Sequence, residues 1–180
     1  KMKGVVFTFM ADHFTEQFGV PFWNEVLDTA GEDGVYTSGA YYPDEEVFTL
    51  LHAVSSIKKV CPAALLKDLG DYLFPQFIKL YPHFIQGQND FLDFLEGVET
   101  VIHSELRKLH PAVQLPRITY DRIAKNELHM HYHSERRLCS LAEGLIDSAA
   151  RAFSNSYQLS HKECMHKGDD QCTFRITTSE

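Results

Sequence analysis

The chain has 180 residues, of which 44% are hydrophobic and 12% aromatic, and its formal net charge is −8 at pH 7. This composition excludes an intrinsically disordered chain, which would be poor in aromatic residues, and it argues against a nucleic-acid binder, which normally carries a basic stripe. No apolar run approaches the roughly 20 residues that span a membrane, and no secretory signal is visible, so we expect neither a nucleic-acid nor a membrane partner.

Helical spacing and helix-boundary residues dominate the first two thirds of the chain. Glycine, proline or acidic residues mark the ends of four predicted helices, at residues 4–18, 21–30, 43–57 and 62–80. Pro75 predicts a kink or an interruption in the fourth helix, because proline removes a backbone hydrogen bond. The capping pair Asn89-Asp90 begins the longest predicted helix, which ends near His110 and repeats apolar residues every three or four positions.

The periodicity changes after Pro116. Strands are predicted at residues 117–120, 128–134, 157–165 and 172–176, with a helix over 138–153. This order predicts an α+β fold, in which an N-terminal helical lobe precedes a C-terminal antiparallel sheet lobe with its own helices. We expect one domain over residues 2–180, with a helical sub-lobe at about 2–60 and a sheet sub-lobe at about 61–180.

The segment Tyr132-x-Ser134-x-Arg136 is the most informative on the predicted strands. Alternate side chains of a strand share a face, so these three should point the same way. Two hydroxyls and a guanidinium in a row are suited to carboxylates, because arginine can hold a carboxylate with two parallel hydrogen bonds. The alternative is the ordinary polar face of a half-buried sheet.

Histidines give a weaker signal. His129, His131 and His133 alternate on the opposite face of the same strand, where they could bind a metal or form part of a solvated face. His103 lies at the edge of the apolar stripe of the longest helix on a helical wheel of about 100° per residue. Spacing alone does not distinguish a ligand from a surface histidine there.

Taken together, these motifs resemble the H-NOX family of haem nitric oxide/oxygen-binding domains, which are related to the haem domain of soluble guanylate cyclase. The resemblance covers essentially the whole chain. The residues that carry it are, in order, Met2-Lys3-Gly4, a helix with His103, Pro116-Arg117, and Tyr132-x-Ser134-x-Arg136 followed by a helix.

This resemblance implies a haem b group between the two lobes. His103 would be the proximal ligand of the ferrous iron, and Pro116 would press on the porphyrin and distort it. The two haem propionates would be the carboxylates bound by Tyr132, Ser134 and Arg136. The sixth position of the iron would stay open for a gas.

The resemblance also implies which gas is bound. Oxygen-binding members carry a tyrosine nine residues after the first tyrosine of the signature, and this position is Leu141 here. Met10 and Phe74 are further apolar residues expected in the distal pocket. A pocket without a hydrogen-bond donor implies a receptor for nitric oxide, and for carbon monoxide, that excludes dioxygen. The alternatives are a donor from another element, or a haem enzyme or oxygen carrier.

For signalling, the resemblance implies a sensor without enzymatic activity. Nitric oxide would weaken the bond between His103 and the iron, and a conformational change would pass to a separate protein. Stand-alone members of the family regulate a sensor histidine kinase or a cyclic-di-GMP enzyme, so either is an expected partner.

Cysteines form a second candidate site. A chain with four cysteines and no visible signal is expected in the reducing cytoplasm, where thiols serve metals or redox chemistry more often than disulfides. A hairpin centred on Gly168 would place two cysteines opposite each other, although His161 would then need a bulge or turn to join them. The complete set is Cys139, His161, Cys164 and Cys172, a common zinc complement.

Three states of this set are open from the residues alone: structural zinc, redox-active thiols without a metal, and inert thiols. A zinc or thiol redox sensor, alone or in addition to haem sensing, is therefore the alternative function.

Overall fold

Helices precede the main sheet in the computed structural model, which describes residues 1–179. The helices are α1 (Gly4–Phe18), α2 (Val20–Ala30), α3 (Asp44–Lys58), α4 (Pro62–Leu80), α5 (Phe91–Gly97), α6 (Ser104–Leu109) and α7 (Cys139–Ala152). The strands are β1 (Met2–Lys3), β2 (Tyr41–Tyr42), β3 (Arg117–Ala124), β4 (Glu127–His133), β5 (Tyr157–Ser160) and β6 (Cys172–Thr178). This order confirms the predicted α+β class.

The fourth helix has its predicted bounds. It runs from Pro62 to Leu80 without interruption, although Pro75 lies inside it. Proline costs about 3 kcal/mol or more in a helix interior. The apolar residues on either side offset this cost, because Leu73 is buried in the N-terminal core and Phe77 packs against that core.

A π-helical segment, Val98–His103, joins α5 to α6, so a single helical rod runs from residue 91 to residue 109. Its predicted cap is present: the Asp90 side chain accepts a hydrogen bond of 2.9 Å from the backbone N–H of Asp93. Apolar spacing did not predict the π-helical segment.

The main sheet is antiparallel, with strand order β3-β4-β6-β5. In the register of β4 and β6, Tyr132 lies opposite Cys172. The predicted strand over 157–165 is shorter than expected, since β5 ends at Ser160 and a loop with a short 3₁₀ turn follows. An Asp169 carboxylate oxygen accepts a hydrogen bond of 2.7 Å from the Cys164 backbone N–H and joins the two ends of this turn.

Helices α4 and α7 approach each other at two glycines. A Cβ atom added at Gly70 would overlap the carbonyl oxygen of Leu141, and one added at Gly144 would overlap that of Lys67. Only glycine permits backbones this close. The approach places α7 between the helical lobe and the sheet.

Two apolar clusters form the interior. The first cluster contains residues of the four helices α1, α2, α3 and α4, together with Leu138. The second cluster contains residues of the main sheet, α5 and α7. Because α4 contributes Leu65, Leu69 and Leu73 to the first cluster, it packs with the N-terminal helices. The division at about residue 60 stays a prediction. Among the helices described, none combines the length and the apolarity of a membrane span.

Candidate functional site

A cavity of about 650 Å³ lies between the helical lobe and the sheet. This volume is within the roughly 300–1,000 Å³ range of ligand pockets. Its walls come from α1, α4, the rod of residues 91–109, β4 and α7, and they are mostly apolar. The predicted site residues among the lining residues are Phe74, His103, Pro116, Tyr132, Ser134, Arg136 and Leu141.

Met10 differs from these seven residues in its placement. Its side chain is fully buried in the N-terminal cluster, whereas the neighbouring Phe9 lines the cavity. Successive residues of an α-helix point about 100° apart, and here Phe9 points into the cavity while Met10 points into the N-terminal cluster. The structure therefore corrects the expected pocket residue from Met10 to Phe9.

His103 reaches the cavity from the rod, and its residue surface is only 9% exposed. Its Nδ1 lies 2.8 Å from Oε2 of Glu99. An ionised carboxylate can only accept, so Nδ1 carries the proton, and Nε2 of the neutral ring keeps its lone pair for a metal. Burial lowers the pKa of His103 below its usual value despite the nearby Glu99, which favours this neutral form.

The π-helical segment explains why the helical wheel placed His103 at the edge of the apolar stripe. A π-helix closes its hydrogen bonds over five residues instead of four, so each turn holds more residues than an α-helical turn. Residues after such a segment are rotated relative to a regular wheel. His103 is the last residue of the segment, so its side chain points in a different direction from the one that a regular wheel gives. In this direction the side chain is buried.

Glu99 is a residue to which sequence reasoning assigned no role. Its Oε1 lies 2.7 Å from an Arg107 guanidinium nitrogen, and its Oε2 accepts a 3.3 Å hydrogen bond from the Ile118 backbone N–H as well as the bond from His103. Burial opposes ionisation of Glu99, but Arg107 and His103 together hold its pKa below the usual value. Its spacing, four residues before His103, is the signal that could have pointed to it.

The three predicted carboxylate-binding residues meet at one end of the cavity, although only Tyr132 lies on a strand. β4 ends at His133, and the turn that follows contains Ser134 and Arg136. The predicted strand over 128–134 agrees with β4 to within one residue, but the strand alternation used to align Arg136 with Tyr132 does not apply in the turn. The turn is closed by a hydrogen bond of 3.0 Å from the Arg137 backbone N–H to the Ser134 carbonyl oxygen.

Arg136 is held from several sides. One guanidinium nitrogen donates to the Gln114 carbonyl oxygen at 2.6 Å, and the other lies 2.9 Å from Asp44 on α3 and 2.8 Å from the Lys1 carbonyl oxygen. Its Nε is buried and has no hydrogen-bond partner among residues 1–179. A buried, unpaired N–H is costly, so this atom fits a carboxylate supplied by a ligand.

These features fit the haem group that the resemblance implies. An apolar cavity suits a porphyrin, the unpaired Nε of Arg136 and the hydroxyls of Tyr132 and Ser134 suit its carboxylates, and Nε2 of His103 suits its iron. The roles of these residues toward haem stay predictions.

The wall of the cavity formed by α1, α4 and α7 has little polar character. Its lining residues on α1, α4 and α7 are apolar except for Thr8. The Thr8 hydroxyl donates to the carbonyl oxygen of Val5 at 2.9 Å, so its proton is already engaged. Leu141 and Phe74 belong to this wall, as expected.

The four predicted zinc ligands come together at a second location, next to the start of α7. Their ligand atoms all lie within 4.8 Å of one another. The Cys164 sulfur is 3.9 Å from those of both Cys139 and Cys172. Tetrahedral zinc with bonds of about 2.3 Å would hold sulfur atoms at nearly this spacing. The loop after β5, and not a strand, brings His161 and Cys164 to the same side.

The pKa shifts of the three thiols in this cluster differ in direction. Burial raises the pKa of Cys139 to about 12, and it also raises the pKa of Cys172. Burial also opposes ionisation of Cys164, but hydrogen bonds from the His166 backbone and the two other thiols lower its pKa below the usual value. His161 binds Glu143 through Nδ1 at 2.9 Å, and its buried Nε2 has no partner in the described part of the chain. An available Nε2 is suited to a metal.

The three alternating histidines of β4 form no comparable site. Within residues 1–179, the thiol cluster is the only group of three or more potential ligands close enough to share a metal. Both ring nitrogens of His131 are engaged, by Asp121 and by Thr173. This favours the solvated-face interpretation.

Comparison with known proteins gives one family. The family model described as Haem-NO-binding matches residues 3–161. An H-NOX protein from S. oneidensis, solved in the Fe(II)NO ligation state, is 33% identical with a TM-score of 0.93, and the match covers 99% of this chain and 100% of that one. No curated protein sequence matches the chain.

Two further solved structures are similar. The Fe(II) unliganded H-NOX protein from K. algicida is 27% identical with a TM-score of 0.92, over 99% of this chain and 97% of that chain. The IWP-051-bound H-NOX from Shewanella woodyi, in the Fe(II)CO ligation state, is 30% identical with a TM-score of 0.85. The match covers 99% of this chain and 95% of that chain.

Proposed function

The chain belongs to the Haem-NO-binding family, also called H-NOX, and from this premise we propose that it is a non-enzymatic sensor of nitric oxide. In this proposal it holds ferrous haem b, binds nitric oxide and carbon monoxide at the iron, and excludes dioxygen. The family consists of haem-based gas sensors, and we propose which gases this chain binds.

The observation that carries the proposal is the contrast between two walls of one cavity. On the wall formed by the rod, the Nδ1 of His103 contacts Glu99 at 2.8 Å, which leaves Nε2 as the ring nitrogen that can bind a metal. On the wall formed by α1, α4 and α7, Leu141 and Phe74 are apolar, and the hydroxyl of Thr8 donates its proton to a backbone carbonyl. When bound, haem iron with a single histidine ligand supplies an open coordination position for a diatomic gas. An apolar wall gives dioxygen no hydrogen bond there.

The chain's own residues suggest how gas binding would be transmitted. His103 lies on the rod of residues 91–109, and Pro116 lines the same cavity just before β3. We propose that His103 would hold the haem iron, and that this hold would weaken when nitric oxide binds. The rod is then free to shift relative to the sheet, as a two-state element biased by a ligand.

We also propose a separate partner protein, a sensor histidine kinase or a cyclic-di-GMP enzyme, and a cytoplasmic location. The partner classes follow from the resemblance to stand-alone family members. The location is supported by the four free cysteines, which persist in reducing compartments.

The test is the visible absorption spectrum of the haem-loaded ferrous protein under three atmospheres. We expect nitric oxide and carbon monoxide each to change the spectrum, and air to leave it unchanged over the time of the measurement. A spectrum that changes reversibly in air would contradict the exclusion of dioxygen. Turnover of peroxide would favour a haem enzyme instead.

A second function is supported by the thiol cluster. Three sulfurs and one available imidazole nitrogen converge within 4.8 Å, which is suited to zinc. Hydrogen peroxide would oxidise two of the thiolates to a disulfide, with its own reduction to water, and zinc would be released. We expect one zinc per reduced chain, and we expect the zinc to be released in proportion to the loss of thiols. A reduced protein that contains no zinc would contradict the zinc site and leave the two metal-free interpretations, redox-active thiols and inert thiols.

A further inference from the structure

We propose that Glu99 is a positioning residue: it fixes the tautomer and orientation of the His103 ring and increases the electron donation of Nε2 to a bound metal. This inference rests on the proposed function, because it concerns the residue expected to bind the haem iron. Sequence reasoning and the resemblance assigned Glu99 no role.

The contact itself is short and directional. Oε2 of Glu99 accepts the Nδ1–H of His103 at 2.8 Å, in a pair whose side chains are 21% and 11% exposed. Metal-binding histidines commonly donate their second ring N–H to a carboxylate, which raises the basicity of the ligating nitrogen. The short distance and partial burial place this pair in that class.

The carboxylate is held on both of its oxygens. Arg107, about two turns further along the rod than Glu99, binds Oε1 at 2.7 Å. The backbone N–H of Ile118, at the start of β3, donates to Oε2 at 3.3 Å. Because three donors converge on one carboxylate, Glu99 cannot turn away from His103 without leaving other hydrogen bonds unmade.

This arrangement also ties the rod to the sheet. Glu99 and His103 lie within the same π-helical segment, whereas Ile118 belongs to β3, two residues after Pro116. A movement of His103 relative to the sheet would therefore have to break or stretch a contact of Glu99. The same residue orients the ligand and connects it to the element that the proposed signal would displace.

The test compares Glu99→Gln with Glu105→Gln, a matched control on α6. Glu105 also pairs with a histidine, His83, at 2.8 Å, but it has no contact with His103. The first readout is the ¹⁵N chemical shifts of the His103 ring in the haem-free protein, which report the tautomer. The second is the iron–histidine stretching frequency of the haem-loaded ferrous protein, measured by resonance Raman spectroscopy.

We expect the wild-type ring to be protonated at Nδ1 and to keep this tautomer in Glu105→Gln. In Glu99→Gln we expect a mixture of tautomers, a lower iron–histidine stretching frequency and roughly 10-fold weaker haem affinity. A wild-type tautomer and frequency in Glu99→Gln would overturn the inference, and so would a wild-type ring protonated at Nε2.

The two proposals fail in different ways. If the wild-type chain takes up no haem, the proposed function fails, while the tautomer in the haem-free protein still decides the role of Glu99. If Glu99→Gln does not fold, Arg107→Gln replaces it, because it removes one contact of the carboxylate and leaves His103 untouched. A smaller change in the same direction supports the inference, and no change overturns it.

Discussion

The cavity and the thiol cluster differ in how much of the chain each requires. The cavity takes its walls from elements spread along the chain, from β1 to α7. The cluster takes four ligand atoms from the start of α7, one loop and the start of β6. A large apolar ligand is recognised by surfaces that exist only in the complete fold, whereas a metal needs only a few atoms at the right spacing.

The two regions are nevertheless neighbours. Cys139 and Leu141 lie two residues apart on α7, one in the cluster and the other in the cavity wall. Tyr132 of the cavity lies opposite Cys172 of the cluster in the sheet register. The two regions therefore share α7 and the pairing of β4 with β6.

The largest effect is expected from His103→Gly, which removes the nitrogen that faces the cavity. We expect this variant to lose tight haem binding unless imidazole is supplied, and to keep its zinc. His52→Gly on α3 is the control, because it also places glycine in a helix but at an exposed position. A normal haem content and spectrum in His103→Gly would refute His103 as the ligand.

Cys172→Ser tests the thiol cluster by removing one of its three sulfurs. We expect it to lose most of the bound zinc, because one of four ligands is gone, and to leave the haem spectrum unchanged if the two sites are independent. Cys61→Ser is the matched control, since Cys61 is exposed and lies outside the cluster. Metal analysis and absorption spectroscopy give both readouts. A shifted haem spectrum in Cys172→Ser alone would show that the regions are coupled.

Leu141→Tyr adds a hydrogen-bond donor to the apolar wall. We expect the ferrous protein to hold dioxygen in air, where the wild type does not, since a hydroxyl can stabilise the bound gas. Leu141→Phe is the control, because it has nearly the same shape without the hydroxyl. An absorption spectrum of Leu141→Tyr that does not respond to air would contradict the role given to this position.

Gly144→Ala disturbs the helix that both regions share. The added Cβ would overlap the backbone of α4 at Lys67, so we expect a loss of about 1–3 kcal/mol in the free energy of unfolding. Gly97→Ala meets no atom within 4 Å and serves as the control, with an expected gain of about 0.4–1 kcal/mol. Urea unfolding measures both, and equal stabilities would contradict the close approach of α4 and α7.

The smallest effect concerns Asp44, which lies 2.9 Å from the guanidinium of Arg136. Burial opposes its ionisation, but Arg136 holds its pKa below the usual value. A carboxyl group with a lowered pKa adds stability at neutral pH and loses it as the pH falls through that pKa. We therefore expect Asp44→Asn to cost the haem-free protein less than about 1 kcal/mol at pH 7.

This cost should shrink as the pH falls below about 4, because the carboxyl of the unfolded chain takes up its proton there while the folded one, with its lowered pKa, takes it up only at lower pH. Glu45→Gln, at an exposed neighbouring position, should change little at either pH. Unfolding of both variants at pH 7 and pH 3 measures the difference. A cost that grows on acidification would contradict the assigned pair.

Prediction from sequence succeeded where local spacing carries the information. Helix boundaries at glycine and proline allowed α1 and α2 to be located closely, and alternation on β4 placed Tyr132 on the cavity side. The ligand set of the thiol cluster was also assembled from spacing alone, although a loop and not a strand carries Cys164.

It failed where the conformation depends on tertiary packing. A regular helical wheel cannot show the π-helical segment that accompanies the burial of His103, and it cannot show that Phe9, not Met10, faces the cavity. The contact from Ile118 to Glu99 joins residues 19 apart across two elements, so no local pattern contains it.

The most direct measurement is a titration of the haem-free protein with haem, followed by absorbance, for the wild type and His103→Gly side by side. We expect the wild type to bind one haem per chain with a sharp end point, and the variant to show no saturable binding without imidazole. Wild-type protein that stays colourless, or two identical titrations, would contradict a haem sensor built on His103.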